Sequence, residues 1–146
     1  MKEGYTSVYW FPGGISEWRS FNYPLYIDKK YSGIRVNKLK PAEVQERIRS
    51  GNVLVVDVRP RNFVKDPNFI IGSKNFPLLT LVDDAYLLPK DRPIILTDWT
   101  MRQAPLAAKY LIANGYTNVL GVLKGGLVRW ELEGFTVEER GIDEAK

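Results

Sequence analysis

The chain contains neither cysteine nor histidine in its 146 residues. That removes thiolate nucleophiles, disulfides, the usual zinc ligands and the commonest general base. Without thiols the sequence is also indifferent to redox compartment, so its location is unreadable on that score. No apolar run approaches the roughly 20 residues that span a bilayer, and the first residues lack the charged-then-apolar pattern of a signal peptide. The expectation is a soluble chain without membrane contact. A formal charge of +4 is modest. Lys29, Lys30, Arg35, Lys38 and Lys40 crowd one stretch, but aromatic interleaving is sparse and no binding motif accompanies them, so it reads as a solvated linker and not a nucleic-acid surface. The 45% hydrophobic and 26% charged fractions suit a globular chain with one core.

What is present says one thing twice. Gly4-Tyr5-Thr6-Ser7-Val8, then Gly13-Gly14-Ile15 and Trp18, returns as Gly115-Tyr116-Thr117-Asn118-Val119, then Gly125-Gly126-Leu127 and Trp130. The spacing is kept to within one residue, and each copy closes on an aromatic, Tyr23 before Pro24 and Phe135 after Gly134. An echo at this separation suggests a duplicated domain whose first copy is mostly missing.

Thr6 to Trp10 reads as a short buried strand, Pro12-Gly13-Gly14 as a tight turn, and Ile15 to Phe21 as a short helix carrying Trp18 inward. Tyr26 to Lys40 is polar and basic, a boundary between the partial copy and a complete domain. The expected organisation is therefore a partial unit over 1–27, a linker over 28–37, a complete domain over 38–140 and a tail over 141–146.

In the complete domain, Pro41 opens a helix over Ala42 to Ser50 that Gly51 stops. Val53 to Val56 is a continuous β-branched and apolar run, the pattern of a parallel strand covered on both faces, and Asp57 sits at its end. Ile70-Ile71-Gly72 through Phe76-Pro77 reads as a turn leading into another short strand. Leu81 to Leu88 reads as a helix ended by Pro89. Pro93 to Thr97 is a second buried strand, followed by a loop from Asp98, a long helix to Asn114 capped by Gly115, and a last strand over Asn118 to Val122. Alternating strands and helices imply an α/β fold with helices on both faces of a parallel sheet. In such sheets the binding crevice lies at the carboxyl ends of the strands, which places Asp57 and the loop from Asp98 at the candidate site.

These residues resemble the rhodanese-like domains, a family that carries sulfur as a cysteine persulfide. The resemblance rests on Asp57-Val58-Arg59 after the first buried strand and on Ile70 to Pro77, similar to the family's His-Ile-x-Gly-Ala-x-Asn-x-Pro. The strand-loop-helix unit from Ile94 to Gly115 and the closing Gly125-Gly126-Leu127 with Trp130 complete it. It covers roughly residues 38 to 137, while residues 4 to 25 resemble only the closing segment of a second such domain. The fold it implies is three-layered, with a central, mostly parallel five-stranded sheet.

Active members of the family place their cysteine directly after the strand that ends here at Thr97, in a loop patterned Cys-x-x-Gly-x-Arg at a helix N-terminus. There, converging N–H groups and the helix dipole stabilise a thiolate, a persulfide or an oxyanion. The distance from Asp98 to Gly115 fixes the register. Asp98 then replaces the nucleophile, Met101 the glycine and Gln103 the arginine, in Asp98-Trp99-Thr100-Met101-Arg102-Gln103. A carboxylate cannot hold sulfane sulfur, so this is a vestigial pocket with no catalytic residue, in which Asp98 caps the following helix. Arg102 either points into the pocket or faces solvent from the first helical turn. Trp99 either fills the vacated site or offers a contact to a partner.

Asp57 and Arg59 read as a brace between loops, and Asp83-Asp84 as a helix N-terminus, since two adjacent carboxylates make no metal site alone. Gly72 marks a turn, and Trp130, like Trp18, reads as an anchor beside its Gly125-Gly126 turn. No cofactor or metal is implied. The resemblance implies a catalytically silent module with a binding, regulatory or structural role among tandem rhodanese modules. The alternative is a sulfurtransferase whose active cysteine lies in another module. A phosphatase-like oxyanion pocket ranks lowest, because it too requires a cysteine. A neighbouring module or another protein is the expected partner, and residues 1–27 either pack on the following domain or mediate a segment-swapped dimer.

Overall fold

A strand that is apolar on both faces needs two layers of cover, and Val53–Val56 receives them. The computed structural model describes residues 6–61 and 65–141; Gly4 and Tyr5, which open the first copy of the echo, lie outside them. The chain divides into two units, Met1–Ser32 and Gly33–Lys146.

The first unit holds α1 (Gly14–Ser20) and α2 (Lys29–Ser32). The helix expected around Trp18 is present, but the strand expected over Thr6 to Trp10 is not, and those residues are exposed. A strand needs a neighbour to pair with, and among the described residues this unit offers none. Nor is Trp18 carried inward, since α1 has no buried residue. Its ring meets Phe11 edge-on at 5.7 Å and Tyr23 at 4.9 Å. The helical turn α2 lies in the stretch read as linker. It is started by Asp28, whose carboxylate accepts the Tyr31 N–H at 3.0 Å.

The second unit runs β1 (Lys38–Leu39), α3 (Pro41–Arg49), β2 (Leu54–Asp57), β3 (Asn68–Ile70), β4 (Lys74–Asn75), α4 (Leu81–Asp84), β5 (Ile94–Thr97), α5 (Ala104–Ala113), β6 (Val119–Leu123), α6 (Gly126–Leu132) and β7 (Val137–Glu139). Five strands form a parallel sheet in the order β1-β6-β5-β2-β4. Beside it, β3 and β7 pair antiparallel. The helix expected over Leu81 to Leu88 is shorter: after Asp84 it tightens into a 3₁₀ turn, Ala85–Leu87. Leu88 is extended ahead of Pro89, as a residue before proline prefers.

Alternation along β2 divides the core. Leu54 and Val56 face a layer with Leu81 of α4, Ala85 of the 3₁₀ turn, and Ala104, Ala107, Ala108 and Leu111 of α5. Val53 and Val55 face Val44 of α3 and Leu127 and Trp130 of α6. The fold is therefore α/β, three layers deep, with helices on both faces of its five-stranded sheet.

Candidate functional site

Parallel pairing sets Asp57 of β2 beside Thr97 of β5. The two strands thus deliver Asp57 and the loop beginning at Asp98 to the same end of the sheet.

Asp98 is buried. One carboxylate oxygen accepts the N–H of Met101; the other accepts the N–H of Gln103 and, at 2.8 Å, that of Ala104, the first residue of α5. The converging amides of the loop are thus occupied by a side chain of the loop itself. Met101, at the place the family pattern gives to glycine, holds φ +68. A methionine thus occupies a backbone region that glycine enters more readily. Gln103 is partly buried, and its Oε1 has no hydrogen-bond partner. Thr100 and Arg102 face solvent, so Arg102 does not supply the charge that an arginine in the pocket would.

The loop is held from behind by α6. The carbonyls of Asp98 and Trp99 accept the N–H groups of Leu127 and Val128 at 2.7 and 3.0 Å. That approach demands glycine at 126: a Cβ there would sit 2.5 Å from the Asp98 carbonyl oxygen and 2.6 Å from that of Trp99. Gly125 and Gly126 both adopt positive φ. Trp130 anchors the helix, buried, with its ring nitrogen donating to the Thr136 carbonyl at 3.0 Å.

On the β2 side, Arg59 donates from Nε to both oxygens of Asp57 at 3.0 and 2.9 Å, with Nη2 2.8 Å from one of them. Nη2 also donates to the Asn68 carbonyl at 2.7 Å, tying β2 to β3. Burial pushes the Asp57 carboxyl above the ordinary carboxylate range, against the pull of Arg59. The Asn75 amide donates to the carbonyls of Asp57 and Arg59, both at 3.0 Å, and Gly72 takes φ +73 in the preceding turn. Asp83 and Asp84 lie in the first turn of α4. Among the described residues no group of three or more His, Cys, Asp or Glu is placed to hold a metal ion, and no helix is long and apolar enough to cross a membrane.

Trp99 joins the two halves. Its ring lies 5.6 Å from the Arg59 guanidinium and its nitrogen donates to Asp66 at 3.0 Å. Asp66 escapes sequence reasoning, as does Arg140, which donates to the Ser73 carbonyl at 2.7 Å and lies 4.4 Å from the ring centre of Phe69. Arg59 lies 4.5 Å from the same ring. Neither Asp66 nor Arg140 falls in a motif, and both are brought in by the β3 and β7 segments.

With this geometry in place, the rhodanese-like domain model matches residues 40–133. Among solved structures, the chain is similar to a rhodanese-related protein from Thermoplasma volcanium, at 23% identity and a TM-score of 0.62, covering 69% of this chain and 96% of that one. It is also similar to the rhodanese-like domain of an Anabaena protein, at 28% identity and a TM-score of 0.61, covering 75% and 82%. A third, CoADR-RHD from Bacillus anthracis, is 29% identical with a TM-score of 0.59; the match covers 65% of this chain and 16% of that one. No curated protein matches the sequence.

Proposed function

Because the chain belongs to the rhodanese-like family and contains no cysteine, we propose that it is a catalytically silent module with a binding, regulatory or structural role among tandem rhodanese modules. The observation that carries this reading is the Asp98 carboxylate, which engages the amides of Met101, Gln103 and Ala104. Sulfur transfer from thiosulfate needs a thiolate that attacks the sulfane sulfur, expels sulfite and keeps the sulfur as a persulfide. A carboxylate forms no such bond, and its charge repels an oxyanion from the amides that would otherwise bind one. The echo in residues 6 to 24 supports a second reading, in which the active cysteine lies on a neighbouring module whose cleft this one helps to shape.

The test is direct. The purified chain, given thiosulfate and cyanide, is expected to form thiocyanate no faster than a buffer blank. Clear turnover would overturn the proposal.

A further inference from the structure

At the same end of the sheet as the Asp98 loop, but at its β1 edge, parallel register pairs Leu39 of β1 with Leu123 of β6. The Lys124 N–H donates to the Leu39 carbonyl at 2.8 Å. The next residues of the two strands, Lys40 and Lys124, therefore emerge side by side from backbones about 4.8 Å apart. Both are exposed, and among the described residues neither has an ion-pair partner. Like charges in register on neighbouring strands repel. The arrangement costs stability by itself, and an anion lying between the two ammonium groups relieves it.

The two lysines border a cavity of about 350 Å³ together with Arg129 and Glu133 of the α6 segment. Gly125 brings Arg129 there. A Cβ at 125 would sit 2.6 Å from the Arg129 Cβ, so a glycine at that turn lets the arginine stem lie back toward the strand ends. Glu133 accepts the Arg129 Nε–H at 2.5 Å. Three cations thus face one carboxylate around the cavity, which leaves two positive charges unbalanced. Glu43, the acid next to Lys40 in α3, accepts the Lys40 N–H at 2.7 Å and does not border the cavity. Pro41 and Ala42 supply an apolar wall.

We propose that this cavity binds the phosphate monoester of a small alcohol. A monoester carries a charge of about −1.5 to −2 at neutral pH, which matches the imbalance. Lys40 and Lys124 meet it as compact ammonium donors, and the Arg129 guanidinium presents a fork that takes two phosphate oxygens at once. Arg129 gives up for this only an exposed pair with Glu133, an interaction worth little in water. The volume falls within the range of about 300 to 1,000 Å³ that small-molecule sites occupy, and the apolar wall receives the alcohol. The position, outside the carboxyl ends of parallel strands, is where open α/β sheets hold ligands. It is separate from the loop whose amides Asp98 occupies, and it does not rest on the silent-module reading.

The experiment titrates the isotope-labelled full chain with β-glycerophosphate and follows each backbone amide by NMR. Saturable shifts are expected at Lys40, Ala42, Lys124 and Gly125, with the amides of Met101 and Ala104 unmoved. Lys40→Gln and Lys124→Gln, each at an exposed position, should weaken binding about tenfold, and Lys124→Arg by less than about threefold. Glu133→Gln removes the competing carboxylate and should tighten binding about threefold or more; a lysine that merely supported the fold would not predict this gain. Circular dichroism checks that each variant folds. Failure to saturate by about 10 mM ligand, an equal response to glycerol or lactate, or shifts centred on Met101 to Ala104 would overturn the proposal. So would tighter binding of a phosphoserine pentapeptide than of β-glycerophosphate, which would assign the site to a phosphorylated protein. Thiocyanate formation by the chain would remove the silent-module reading and leave the titration result standing.

Discussion

Asp98 and Ala104 are joined by a hydrogen bond of 2.8 Å from the backbone N–H that opens α5 to a buried carboxylate. Two further loop amides share that carboxylate, so Asp98→Ala strands three donors. At about 1 kcal/mol per bond, the variant should lose about 2 to 4 kcal/mol, read as a lower urea midpoint at unchanged slope. Arg102→Ala, at an exposed position of the same loop, should move stability by less than about 0.5 kcal/mol.

The turn at Met101 has positive φ, a backbone that suits the glycine the family pattern would put there. Asp98→Cys combined with Met101→Gly and Gln103→Arg should vacate the amides, supply a thiolate and place a guanidinium beside it. Thiocyanate formation above blank, with sulfite released from thiosulfate, is the expected result. A folded triple variant with an alkylatable thiol and no turnover would mean that the loop has lost its catalytic shape as well as its chemistry.

Gly126 and Gly115 separate two reasons for glycine. Both have positive φ, but a Cβ at 115 meets nothing within 4 Å, whereas one at 126 would strike the carbonyls of Asp98 and Trp99. Gly115→Ala should cost about 1 kcal/mol. Gly126→Ala should cost more than about 3 kcal/mol or prevent folding, because backbone must move. Calorimetric melting of the two variants ranks them.

Asp57 gives the protein a pH signature. Its carboxyl is raised mainly by burial, with Arg59 opposing. A group that keeps its proton to higher pH in the folded chain stabilises below the unfolded value, about 3.9, and loses that contribution as pH rises through the folded value. The stability of the wild type relative to Asp57→Asn should therefore fall as pH rises from about 3 through that window, then level off. Urea unfolding of both proteins between about pH 3 and 7 tests it; a difference that grows with pH would mean the guanidinium outweighs burial.

Val53–Val56 and Pro93–Thr97 were legible because each is a short apolar run, rich in β-branched residues and bounded by turn residues, and Asp98 as a cap because a carboxylate between a buried strand and a helix meets that helix's free amides. The β3–β7 pair was not: its strands have three residues each and are far apart in sequence, so no local pattern announces them. Arg140, Asp66 and the contacts of Phe69 were hidden with it. Thr6–Trp10 erred the other way, having the composition of a strand while its unit supplies no neighbour for it.

Met101 bears on how the protein comes apart. Its backbone angle opposes the preference of its own side chain by about 1 to 2 kcal/mol, so nothing local assembles that turn early in folding. It is expected to close late, once β5 and α5 hold Asp98 opposite the amides, so that its contacts form after the transition state. Changes at this loop should therefore act on the rate of unfolding far more than on the rate of folding, which chevron analysis of Asp98→Ala would read.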